Sequence, residues 1–425
     1  MKKSTSLAQE SALTVLCADI GTSSIKVALI GVDGIVFDST RIHFDTKLKS
    51  NRWFFALKEA TLKLFNNKAI NLCAISISGN GPSLANSNFS YLWNEPLSDN
   101  VLKKLNKAAH TNNSCKSIFI PRLLHLQETR PDIFESDNEP IFSLPEYLVY
   151  QLTGNAYTLL PNERYKSAYW TNESLKQFGL EKLITTSIKH TKLPPFQLLT
   201  ESSGTLTKKA AQQLGIKINT NQYSTIPVFC SGPDFIAALL GTANTIPGRI
   251  CDRAGTSEGI NLCTKEPLLH KKIRTLPSPI NALWNASCMI PDSGLRFTLQ
   301  KQKSHPEMTY QEYVHYLIQH PKSEDYKFMK NIATEIKMNI DLLESAARQE
   351  NIPFNKILCI GGQAKNPEWM QYKANITKRA LYVPSCKDSE LIGCAVVAFT
   401  ALGYYSSIQE AANNLLKIEK SYNPQ

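Results

Sequence analysis

The sequence predicts an α/β protein of two domains built on one plan. Three observations carry this. Apolar, β-branched runs alternate with stretches of helical spacing. The tripeptide Gly-Thr-Ser lies between two such runs twice, at Gly21–Ser23 and at Gly255–Ser257. The 425 residues exceed what one core usually organises.

In the first half, residues 13–19 and 25–31 read as strands joined by the small-residue turn Gly21-Thr22-Ser23-Ser24. Asp33-Gly34 turns the chain into a third strand at Ile35 to Phe37, making an antiparallel meander. Residues 53–66 have helical spacing, Leu72 to Ser78 form a buried strand, and Gly79-Asn80-Gly81-Pro82 is a loop. Residues 118–153 read as mainly helical, closed by Gly154. The second half repeats the outline: strand 226–230, helix from Asp234, then strand, turn and strand over 249–263. A polar, weakly patterned stretch (264–325) precedes a long helix at 326–350, strand 357–360, the turn Gly361-Gly362 and a helix from Pro367. Strand 380–383 and an apolar helix at 389–403 follow.

Composition narrows the function. At 42% hydrophobic and 20% charged the chain is globular, and its longest apolar run falls short of the ~20 residues a membrane span needs. The start at Met1-Lys2-Lys3 lacks a secretory core, and the ten cysteines contain no Cys-x-x-Cys pair. We therefore expect reduced thiols and a cytoplasmic protein. The +11 charge is spread over the chain without aromatic interleaving, so neither nucleic acid nor membrane is expected as a partner.

The chemistry lies in the turns. A small-residue hairpin turn presents backbone N–H groups and hydroxyls that wrap a phosphate, and an adjacent acid positions a hydrated Mg²⁺. Asp19 stands two residues before Gly21 and Lys26 five after it; two such hairpins would clamp a polyphosphate. No Walker motif and no Gly-x-Gly-x-x-Gly occurs, so a P-loop or Rossmann site is excluded. Asp234, between a strand and an apolar helix, suits either a catalytic base or an N-cap.

Ordered segments resemble the FGGY carbohydrate kinases of the actin and hexokinase superfamily. Asp19 to Lys26 is similar to the first phosphate motif, Ile77-Ser78-Gly79-Asn80-Gly81 to the substrate loop, and Tyr147 to Gly154 to the helix ending Leu-Thr-Gly. Ser231-Gly232-Pro233-Asp234 is similar to the segment of the catalytic Asp, and Gly255-Thr256-Ser257 to the second phosphate motif. Gly361-Gly362-Gln363-Ala364 with Trp369 and Gln371 resembles the adenosine motif. The sequence departs from that pattern at Asn80-Gly81-Pro82 and at Phe235, where relatives carry bulkier polar residues and an amide.

The resemblance implies two ribonuclease-H-like domains with an active-site cleft between them: residues 1–235 for sugar and phosphate, residues 236–425 for nucleotide. It implies ATP-dependent phosphorylation of a hydroxyl of a small sugar or polyol, ketopentose-like, with ATP and Mg²⁺ as cofactors and a homodimer possible. In that scheme Asp234 is the base and, with Asp19, faces the metal. Gly21, Thr22, Ser23, Lys26, Gly255 and Thr256 hold phosphate; Gly361, Gly362, Gln363 and Asn366 hold the nucleoside. Asn80, Trp93, Asn94, Glu95, Asp234 and Phe235 line the sugar pocket, since polyols need amides, carboxylates and an aromatic face. The alternative is a catalytically inactive sugar- and nucleotide-binding regulator of the same fold.

Overall fold

The computed structural model describes residues 12–45, 51–66, 70–110, 115–135, 139–184, 192–217 and 226–425. The start at Met1-Lys2-Lys3 lies outside them. The chain divides into two compact units, Met1–Ala237 with Gly393–Ser407, and Ala238–Ile392 with Ile408–Gln425. Residues 393–407, which the sequence reading placed in the second domain, thus belong to unit one.

Unit one is built on a five-stranded sheet. Its strands are β1 (Leu13–Ile20), β2 (Ser24–Gly31), β3 (Val36–His43), β4 (Asn71–Gly79) and, after the short strands β5 (Leu84–Ala85), β6 (Ser90–Tyr91), β7 (Phe142–Ser143), β8 (Thr158–Leu160) and β9 (Phe196–Leu198), β10 (Val228–Pro233). The order is β10-β4-β1-β2-β3, with β1, β2 and β3 antiparallel in sequence and β4 and β10 parallel to β1. β1 and β2 are buried on both faces, which is why they read as near-continuous apolar runs; β3 alternates and faces solvent on one side. Helix Arg52–Phe65 sits on β2 and β3 through Trp53, Leu57, Ala60 and Leu64. A side chain of the size of Leu57 or Leu64 removes apolar surface worth about 1.5–3 kcal/mol.

The stretch expected as mainly helical, 118–153, is three helices, Ile120–Thr129, Pro131–Glu135 and Leu144–Thr153, broken by β7. Pro131 and Pro145 sit in first turns, where a missing N–H costs nothing. Helix Leu144–Thr153 opens with a capping box between Ser143 and Glu146, closes on left-handed Gly154, and packs on β4 and β10.

Unit two repeats the plan. β11 (Ile250–Ala254) and β12 (Glu258–Thr264) form the hairpin, followed by β13 (Arg274–Pro277), β14 (Trp284–Ile290), β15 (Ile357–Ile360), β16 (Leu381–Pro384) and β17 (Ile418–Tyr422). The order is β13-β14-β12-β11-β15-β16-β17, whose central part, β14-β12-β11-β15-β16, matches β3-β2-β1-β4-β10. Helix Glu324–Gln349 buries Met329, Ile332, Ala333, Ile336, Ile340, Leu343 and Ala347, three or four residues apart, against β12 and β14. The stretch 264–325, expected to be weakly patterned, holds β13, β14 and two helices, Ser293–Ser304 and Tyr310–Gln319. Its signal is faint because β13 is an edge strand and the first helix buries only Ser293 and Lys301.

None of the ten cysteines is in a disulfide, and seven of them are buried. Burial pushes the Cys251, Cys263 and Cys394 thiols up to about 12, leaving them protonated and unreactive. No described helix is long and apolar enough to cross a membrane.

Candidate active site

In unit one the parallel strands β1, β4 and β10 end side by side. Asp19 lies opposite Ser78 in the β1–β4 register, and Ser78 and Gly79 lie opposite Gly232 and Pro233 in the β4–β10 register. The carboxyl ends of these strands therefore gather Asp19, the loop from Gly79 and the residue after Pro233, Asp234, where open α/β sheets place ligands. Asp234 is the half-buried first residue of helix Asp234–Gly241. A Cβ added at Gly81 would lie 3.4 Å from Pro233 Cβ, so the Asn80 loop leans on the residue before Asp234.

Asp19 is 3% exposed and fixed from both sides: Oδ1 accepts from the Ser78 hydroxyl at 3.0 Å and Oδ2 from Lys26 Nζ at 3.2 Å. Thr22 is the more informative residue. Its hydroxyl oxygen accepts from Asn80 Nδ2 at 3.2 Å and from Trp93 Nε1 at 3.3 Å. With both lone pairs engaged, the hydroxyl's remaining polar function is its proton, so Thr22 is poised to donate to an anionic oxygen. The turn itself closes through Gly21 N–H donating to Ser24 O at 2.8 Å.

The loop is braced from behind. Ser83 donates to Asn80 Oδ1 at 2.9 Å and accepts the Trp93 N–H at 3.0 Å. Arg122 donates to the carbonyls of Trp93 and Glu95 and to Tyr91 Oη, and lies 5.0 Å over the Tyr91 ring. The structure thus brings Asp19, Thr22, Lys26, Asn80 and Trp93 together, with Trp93 still 43% exposed. Glu95 is turned to its own loop, accepting Leu92 N–H at 2.8 Å. Ser23 and Asn94 are exposed and Phe235 is half-buried. Ser83 and Arg122 escaped the sequence reading, and Ser78, although inside the substrate-loop segment, was given no role there. Ser78 alone carried a signal, a hydroxyl inside a buried strand one register step from an acid.

In unit two the β11–β12 turn repeats the first, with Gly255 N–H donating to Ser257 O at 2.8 Å and Gly255 and Thr256 exposed. Two other backbones press on it. Gly361 has φ of +90°, and a Cβ there would stand 2.3 Å from Ala254 O; a Cβ on Gly294 would stand 1.9 Å from Gly255 O. Leu295 N–H donates to Thr256 O at 3.0 Å. The Gly361–Gly362 turn, the Thr256 turn and the start of helix Ser293–Ser304 therefore meet backbone to backbone. Gln363 Oε1 accepts from Trp369 Nε1 at 3.0 Å, and Asn366 Oδ1 caps helix Pro367–Thr377 by accepting Glu368 and Trp369 N–H groups, both at 3.1 Å.

Residues 332–402 match the model of the FGGY family of carbohydrate kinases, C-terminal domain. A xylulose kinase of Staphylococcus xylosus is 22% identical over 93% of this chain and 92% of its own. An autoinducer-2 kinase of Enterobacter sp. is 24% identical over 72% of this chain and 65% of its own. Among solved structures, the ligand-bound xylulose kinase of Lactobacillus acidophilus superposes with a TM-score of 0.78 at 16% identity, covering 97% of this chain and 94% of that one. The Plasmodium falciparum glycerol kinase with ADP gives 0.78 at 15%, with the same coverage. These superpositions show that the chain has the fold of those kinases. The chain is thus similar to the FGGY carbohydrate kinases, through the family model in its C-terminal part and through xylulose kinases over nearly its whole length.

Proposed function

We propose that the protein transfers the γ-phosphate of ATP to a hydroxyl of a ketopentose-like sugar, with unit one presenting the acceptor-side groups and unit two the nucleotide-binding turns. The single observation that carries the reading is the junction at the ends of β1, β4 and β10, where a fixed carboxylate, a hydroxyl poised to donate, and Asp234 share one edge. The full-length match to xylulose kinases favours a ketopentose as acceptor.

Phosphoryl transfer is mostly positioning and charge stabilisation. Asp234 accepts the proton of the attacking hydroxyl as general base, contributing ~10²–10⁴ in rate. Thr22, Lys26 and the backbone of Gly21 and Ser23 donate to the transferring phosphoryl, Gly255 and Thr256 to the rest of the chain of phosphates, and Gly361, Gly362, Gln363 and Asn366 lie beside the nucleoside. Asn80 and Trp93 supply the amide and aromatic face for the sugar, with Asn94, Glu95 and Phe235 at its margin.

Mg²⁺ fits at Asp19 through water. Both carboxylate oxygens already hold one partner and an ammonium lies 3.2 Å away, which disfavours direct coordination but suits a hydrated ion also held by phosphates. Among the described residues no group of three or more His, Cys, Asp or Glu could hold a metal by itself. Asp234 would face the same ion. The metal neutralises developing charge on the phosphates when bound. Cysteines outside any disulfide, most of them buried, fit action in the cytoplasm, and neither nucleic acid nor a membrane takes part.

An ADP-release assay against ketopentoses, polyols and sugar acids tests the reading. Mg²⁺-dependent turnover with a ketopentose is expected; ATP binding without turnover on any acceptor would instead mark a regulator.

A further inference from the structure

Beneath the nucleotide turns lies a group of ions the phosphoryl-transfer scheme does not use. Lys373, on helix Pro367–Thr377, is 1% exposed, and its Nζ donates to Asp252 Oδ2 and to Glu258 Oε1, both acids fully buried. Asp252 is on β11 and Glu258 opens β12, so the two acids stand at the feet of the hairpin that carries Gly255-Thr256-Ser257.

The same ions reach every element that meets at the turns. Glu258 Oε2 accepts from Ser293 at 3.2 Å, beside the Gly294 that presses on Gly255. Asp252 Oδ2 also accepts from Cys359, its register partner on β15, two residues before Gly361. Lys373 itself lies on the helix that follows the Gly361–Gly362 turn, on the face it shares with Trp369, Met370 and Ala374.

Stability does not account for this arrangement. Apolar residues of the same volume usually serve a core as well as a buried ion group or better, because removing charges from water is costly. Asp252 Oδ1 is left with no hydrogen-bond partner, a further cost. Burial opposes the Lys373 charge, but Asp252 and then Glu258 outweigh it and raise its pKa, so the ammonium persists. What a buried lysine and two acids offer over a plug of methylenes is direction: charge-assisted hydrogen bonds of fixed length and angle.

We propose that Lys373 is a positioning residue of the nucleotide site, tying both feet of the Thr256 hairpin to the helix behind Gly361–Gly362 so that the two turns keep the separation one nucleotide requires. This rests on the assignment of those turns to the nucleotide. Ligand contact belongs to the turns, and Lys373 acts through them.

The test uses the full chain and two variants: Lys373→Met, which leaves two buried carboxylates unpaired, and the neutral triple variant Asp252→Asn, Glu258→Gln, Lys373→Met, which removes every charge together. Titration calorimetry with ATP and with ADP is paired with KM values for ATP and for D-xylulose. The triple variant is expected to keep a cooperative thermal transition, to bind both nucleotides at least about tenfold more weakly, and to raise the KM for ATP by a similar factor while the KM for D-xylulose stays within about twofold. Lys373→Met should show the same split or fail to fold. A triple variant that binds ATP and ADP as the wild type does would overturn the inference and reduce the ions to a structural plug, as would equal rises in both KM values. A wild type that binds no nucleotide would overturn the assignment of the turns, and the inference with it.

Discussion

Asp19 and Ser78 face each other across the parallel pair β1 and β4, and the Ser78 hydroxyl donates to Asp19 Oδ1 at 3.0 Å in a buried setting. A hydrogen bond to a charged group is worth about 1.5–3 kcal/mol, and it leaves the carboxylate one orientation. The residue proposed to hold hydrated Mg²⁺ is therefore aimed by the strand that also delivers the substrate loop.

Ser78→Ala should lower kcat about tenfold at saturating sugar and ATP, and shift the Mg²⁺ dependence to higher concentration, while the KM for the sugar changes less than twofold. Steady-state kinetics across a magnesium titration check this. An unchanged magnesium dependence would detach Ser78 from the metal.

The fold was legible where local pattern and burial agree. Both Gly-Thr-Ser hairpins stand between largely buried runs, so composition marked them. The short strands β5 to β9 hold two or three residues each, too few for a period to form. The proposed site was legible at its turns and not beneath them. Lys373 finds its acids 115 and 121 positions away, a distance no local pattern reports. Arg122 gave no signal either, being one cation on a helix otherwise read by Leu123, Leu124 and Leu126. Ser143 and Glu146 do carry a readable signature, Ser-x-x-Glu before an apolar run. Its buried acid leads to a pH effect.

Glu146 is wholly enclosed, and burial, only partly offset by donors from Ser143 and Leu159, pushes its carboxyl up from 4.5 to about 7. The folded state therefore holds a proton that the unfolded chain releases. The stability this contributes is complete below pH 4.5 and is lost as pH rises through 7, a change of about 3 kcal/mol. Glu146→Gln removes the charge and keeps one acceptor oxygen for the Ser143 N–H, at the expense of the Leu159 bond at every pH. Urea denaturation of both proteins between pH 4.5 and 8 should show the variant gaining on the wild type as pH rises; parallel profiles would place the Glu146 titration elsewhere.

Trp93 is 43% exposed and donates to Thr22. Phosphate or sugar arriving at Thr22 should change its emission. Trp93→Phe should abolish most of the fluorescence change on adding D-xylulose and raise its KM at least about fivefold. A full signal in the variant would assign the change to another of the five tryptophans.

Thr256→Val removes the exposed hydroxyl of the second turn and keeps its shape. Ligand binding stabilises by mass action, so the rise in melting temperature with Mg²⁺ and ATP should shrink, corresponding to binding about tenfold weaker. Equal shifts in the two proteins would remove Thr256 from the phosphate site.

The central claim is that Asp234 takes the proton from a sugar hydroxyl as phosphorus is attacked. Asp234→Asn keeps the shape and a side-chain oxygen at the start of helix Asp234–Gly241 and removes the base. Single-turnover formation of sugar phosphate from D-xylulose and saturating Mg²⁺–ATP measures this step apart from binding. The account predicts a folded variant that binds ATP like the wild type and transfers phosphate at least about a hundredfold more slowly. Transfer at the wild-type rate would contradict it.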